Sequence, residues 1–137
     1  MSRVATMQWV SALSQRPVLE DAVRECAEAV RRQLDGSPDL AVVFVTPHHA
    51  KEFPAVPKLV HRLLKPGRLF GCSAGGVMGA GREAEEGAAV GLLAASLPGV
   101  TTSTFHLEAA DLPDLDAAPK AWCGAVGVAG RQPPPHF

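Results

Sequence analysis

No apolar run in this chain reaches the roughly 18 residues that a membrane-spanning helix needs. The N-terminus also lacks a basic stretch followed by an apolar core and a small-residue cleavage site, so a cytoplasmic protein without a membrane partner is the expectation. Clusters of lysine or arginine are missing too. The 13 basic residues are scattered against 14 acidic ones for a net charge of -1, which removes the electrostatic footprint of a nucleic-acid binder. Cysteine is sparse: Cys26, Cys72 and Cys123 are odd in number, far apart and without C-x-x-C spacing. That pattern speaks against a disulfide framework and a structural zinc site, and for reduced thiols.

What is present suits one core. A chain of 137 residues, 47% of them hydrophobic, can bury most of its apolar side chains, while 13 glycines and 12 prolines call for many loops. Residues 4–13 mix β-branched, aromatic and small polar side chains and read as a first strand. Past Pro17, apolar residues recur every three or four positions at Leu19, Ala22, Val23, Cys26, Ala27, Val30 and Leu34, which predicts an amphipathic helix stopped by Asp35-Gly36-Ser37-Pro38. The valine-rich run 40–45 has the unbroken apolar character of a central strand covered on both faces. Helical spacing over 58–65 and a strand over 68–72 then complete a strand-helix-strand unit, whose two strands should be parallel, adjacent and joined right-handed. Residues 88–97 and 100–107 read as two strands of a hairpin turning at Pro98-Gly99. A short helix near 120–126 follows in a tail ending on Pro133-Pro134-Pro135-His136-Phe137. The fold class is therefore α/β: a mixed β-sheet with a right-handed βαβ unit followed by an antiparallel hairpin. Residues 1–107 form the domain and residues 108–137 an Ala/Pro-rich tail. Trp9, Trp122 and Phe105 are expected as core anchors.

In an open α/β sheet, ligands bind beyond the carboxyl ends of the parallel strands. Two loops leave from that edge here. One is Thr46-Pro47-His48-His49 and the other is Gly71-Cys72-Ser73-Ala74-Gly75-Gly76. Five glycines among residues 71–81 let a ligand approach bare backbone amides, an arrangement that suits a carboxylate or phosphate, and Arg82 adds a potential charge-assisted bond. The plain structural reading is that these glycines allow a tight crossing before the hairpin, with Arg82 paired to Glu85 or Glu86. The ligand-binding set is His48, His49, Gly71, Cys72, Ser73, Ala74, Gly75, Gly76 and Arg82, with no cofactor or metal.

An enzyme is the rival class. Gly71-Cys72-Ser73-Ala74-Gly75 matches the nucleophile-elbow pattern G-x-S-x-G, but an elbow enters a helix directly and residues 77–81 are poor helix formers. A triad drawn from Asp111, Asp114 or Asp116 with His136 obeys the chain order yet lies in the tail. Cys72 with His48 or His49 is a second nucleophile-base pair, against which stands the ordinary role of a cysteine packing at a strand end. A metal shared by His48, His49 and Cys72 is disfavoured, because adjacent histidines on an extended backbone point to opposite sides. His61 and His106 read as structural histidines. A protein-interaction scaffold is a third class.

Four stretches carry a family resemblance: Ser11-Ala12-Leu13-Ser14; residues 39–49, including Thr46-Pro47-His48-His49; residues 69–79, including Gly71-Cys72-Ser73-Ala74-Gly75-Gly76; and Arg82-Glu83-Ala84-Glu85-Glu86-Gly87. In this order and spacing they resemble the N-terminal region of FIST domains, found in bacterial sensory proteins and in some eukaryotic F-box proteins. The resemblance runs from about Val10 to Leu107. It implies a sensory module that binds small ligands, amino acids or their derivatives, and passes the signal to attached output domains. FIST proteins usually run to several hundred residues with a second, C-terminal FIST region. The expectation is therefore a truncated domain, with that region or a signalling output domain as its partner.

Overall fold

The computed structural model describes residues 6–128 and 130. The start of the first predicted strand, and the closing prolines with His136, lie outside them. Residues up to Thr102 form one compact unit and those from Ser103 a second.

The first unit holds β1 (Gln8–Ser14), α1 (Leu19–Arg31), β2 (Leu40–Val45), a 3-10 segment (Pro47–Ala55), α2 (Val56–Leu64), β3 (Arg68–Ser73), β4 (Val77–Gly79), β5 (Arg82–Ala84) and β6 (Val90–Ser96). Helix α1 forms where the apolar spacing predicts it, with Leu19, Ala22, Val23, Cys26, Ala27 and Val30 all buried. Glu20 and Asp21 in its first turn complement the positive end of the helix dipole. It ends at Arg31 rather than Leu34; the chain then turns through Gly36 at φ +78, and Leu34 stays buried in that turn.

Four strands make the sheet in the order β1-β6-β2-β3. β2 and β3 are parallel, and β6 runs antiparallel to both β1 and β2, so β1, β2 and β3 share one direction. The interior position of β2 agrees with its valine-rich run. One face carries Ala12, Ala41, Val43, Val45, Val90, Leu92 and Ala94 against α1 and against Val56, Val60 and Leu64 of α2. Each fully buried valine or leucine there contributes about 1.5–3 kcal/mol. The other face receives the β4–β5 hairpin, whose Val77 and Ala84 pack with Leu13 and Ala89. Ala80 (φ 51) and Gly81 (φ 72) both have positive φ at its tip, as a two-residue turn matched to strand twist requires.

The antiparallel hairpin thus follows the βαβ unit, but it lies at 77–84 and not at 88–107. Pro98-Gly99 does make its turn, with Val100 N–H donating to Leu97 O at 3.0 Å and Gly99 at φ +78. Residues 100–107 nevertheless form no strand. The reason lies in the topology, since β1 and β2 already occupy both edges of β6. Trp9 and Phe105 are also not core anchors: they are 54% and 53% exposed.

The second unit contains a 3-10 turn (Ala109–Asp111) and α3 (Pro119–Ala125), the short helix read near 120–126.

Candidate functional site

Because β1, β2 and β3 point the same way, their carboxyl ends meet along one edge of the sheet. Val45 is level with Ser73 on one side and with Val90 on the other, and Val90 is level with Ser14. Ala74 N–H donates to Val45 O at 3.0 Å, which ties the glycine-rich segment to the end of β2. The loops at His48 and at residues 71–76 therefore leave from the same edge. The first of them is not extended, since Pro47 opens the 3-10 segment.

Among the described residues the buried polar side chains are Ser14, Thr46 and His49, and all three sit at this edge. Burying a polar group is costly unless it finds a partner. The Ser14 hydroxyl donates to the Glu25 carboxylate. Thr46 donates to Gly87 O at 3.1 Å and accepts from Ala89 N–H at 2.9 Å, which fastens β2 to the start of β6. His49 is the exception. Its Nδ1 stands 3.9 Å from the Glu52 carboxylate, and its Nε2 has no partner among the described residues. His48, one residue away, is exposed.

Gly71 has a packing reason for being glycine, because a Cβ there would fall 2.0 Å from Val43 O on the paired strand. Gly76 is similarly close, at 3.2 Å from Ala84 O, whereas a Cβ on Gly75 would meet nothing within 4 Å. Ala74 packs against the small core under the hairpin. Cys72 and Ser73 are exposed. Together with Gly71 they wall a cavity of about 310 Å³, closed on the helical side by Phe53, Val56, Pro57 and His61. Phe53 and His61 were not among the sequence-derived candidates. A signal for His61 existed: it stands four residues after Pro57 on the crossover helix, so both lie on one helical face.

Arg82 belongs to a different cleft. It lines an open cavity of about 540 Å³ beneath the hairpin with Ser11, Phe44 and Met78, and its Nη2 donates to Leu13 O at 2.7 Å, not to Glu85 or Glu86. Cys26 is chemically quiet: burial, aided by the charge of Glu25, pushes its thiol up to about 12, and Sγ donates to Val90 O at 3.4 Å. After Ser73 the chain turns through residues 74–76 into β4, so the G-x-S-x-G pattern here precedes a strand instead of a helix. Asp111, Asp114 and Asp116 fall in the second unit. Among the described residues, no group of three or more His, Cys, Asp or Glu side chains is placed to hold a metal ion. No helix among them is long and apolar enough to cross a membrane.

A βαβ crossover with a cavity at the carboxyl half of its second strand defines this unit as an α/β domain. The chain belongs to the FIST family: the FIST N domain matches residues 39–127, from just before β2 through α3. FIST domains are sensory modules of signal transduction and are not typically enzymes. No curated protein and no solved structure matches the chain.

Proposed function

We propose that this protein is a sensory domain that binds a small ligand, an amino acid or a related small carboxylate, at the carboxyl end of β3. The observation that carries the reading is the cavity of about 310 Å³ walled by Gly71, Cys72 and Ser73, at the low end of the size range of small-molecule sites. The apolar body of the ligand lies against Phe53, Val56 and Pro57. Its polar head meets Ser73 and the backbone amides of Gly75 and Gly76, with His48 on the neighbouring loop that leaves from the same edge. Arg82 is left to the opposite cleft and serves the hairpin.

A thermal-shift screen of amino acids and small carboxylates tests the proposal. A ligand at a hundred times its dissociation constant should stabilise the fold by about 2.7 kcal/mol. Gly75→Asp should leave the unliganded melting temperature nearly unchanged, since Gly75 is open to solvent, while weakening the shift by placing a negative charge beside the anion. A screen in which no compound raises the melting temperature contradicts the proposal.

A further inference from the structure

β3 is the terminal strand of the sheet, and among the described residues no strand pairs with its outer side. Arg68 N–H donates to Asp39 O at 2.9 Å and Ala74 N–H to Val45 O at 3.0 Å, so the even-numbered residues turn their backbone groups inward to β2. Backbone groups alternate along a strand; hence Leu69, Gly71 and Ser73 turn N–H and C=O outward. The same three residues line the cavity that α2 and the 3-10 segment close. Among the described residues, a row of donors and acceptors without partners therefore runs beside an apolar pocket, and edge strands in that condition readily accept another strand.

The charge around this edge is one-sided. Residues 47–73, which build the 3-10 segment, α2 and β3, contain Lys51, Lys58, Arg62, Lys65 and Arg68 against Glu52, and Arg62 is paired with Glu20 of α1 at 2.8 Å, which leaves a net of +3 in a chain whose total is -1. A second copy would bring the same positive surface to the edge, whereas an acidic partner would be attracted.

Resting on the proposed site in this cavity, we infer that its ligand is a short, extended, acidic peptide that adds to β3 as a fifth strand and seats an apolar side chain in the pocket. Main-chain bonds to Leu69, Gly71 and Ser73 give affinity, and the pocket together with the net positive charge of the surrounding segments gives selectivity.

Two dye-labelled hexapeptide pools test this in the full chain by fluorescence anisotropy. One alternates apolar residues with Asp or Glu, and the other alternates the same apolar residues with Lys or Arg. The acidic pool should bind about tenfold or more tightly than the basic one, with the preference shrinking as salt rises. Ser73→Pro removes an outward N–H without touching the ladder to β2, so it should fold normally and weaken the acidic pool about tenfold or more. Amide exchange at Leu69, Gly71 and Ser73 should slow on binding. Equal binding of both pools, or binding indifferent to Ser73→Pro, overturns the inference. So does a concentration-dependent dimer abolished by Ser73→Pro, which would assign the edge to a second copy. If free amino acids stabilise the protein while neither pool binds, the peptide inference fails and the small-ligand reading survives. Peptide binding with no response to the small molecules supports the peptide inference and removes the small-ligand reading.

Discussion

Gly71 and Gly75 occupy one glycine-rich segment and look interchangeable in the sequence, yet they stand in opposite surroundings. A methyl group at Gly71 would drive into the Val43 carbonyl at 2.0 Å, while one at Gly75 would meet nothing within 4 Å. Gly71→Ala should therefore destabilise the protein by about 1–3 kcal/mol, as overpacking against backbone does, and Gly75→Ala should stay within about 0.5 kcal/mol. Urea unfolding of the two variants checks the contrast, and similar losses would contradict it. This also marks a limit of legibility. Composition announces that the backbone comes close to something near residues 71–81, but neither spacing nor residue type says whether that something is a ligand or a neighbouring strand. His49 was legible only as a candidate. Its burial and its unpartnered Nε2 depend on the 3-10 segment, which the extended reading of residues 46–49 did not contain.

The elements that the sequence displays best are those whose pattern is decided locally. The spacing of α1 and the valine run of β2 are written over contiguous residues, and both form where expected. β4 and β5 are three residues each, too short for a period to register, and their strand conformation comes from docking on the sheet through Val77 and Ala84. Residues 100–107 show the converse. Their local character suits a strand, but edges are allotted by topology, and β6 has none left. At the hairpin tip, Ala80 holds a positive φ of 51 that side chains with a Cβ adopt reluctantly. Ala80→Asn creates the Asn-Gly pair favoured in such turns and should stabilise the protein by up to about 1 kcal/mol. An unchanged or lower denaturation midpoint would show that the turn is not under that strain.

At the scale of the whole first unit, three strands of one direction place the ends of β1, β2 and β3 on a common edge, and the βαβ rule alone foresaw half of that arrangement. The adjacency of β2 and β3 follows from the short helical crossover. The insertion of β6 between β1 and β2 is a long-range pairing with no local trace. So is the separation of Arg82 from Ser73, since a hairpin that folds back onto the opposite face carries the arginine away from the loop it follows in sequence. These two clefts lie apart, and the proposed function depends on which one receives the ligand. The most direct measurement is a titration of the isotope-labelled protein, followed by ¹H–¹⁵N NMR, with the compound that most raises the melting temperature in the amino-acid and carboxylate screen. The amide signals of Cys72, Ser73, Ala74 and Gly75, together with that of His61, should move with a single dissociation constant while those of residues 79–83 stay in place. Movement confined to residues 79–83 and Ser11, with Cys72, Ser73 and His61 unaffected, would contradict that expectation and assign the ligand to the cleft beneath the hairpin.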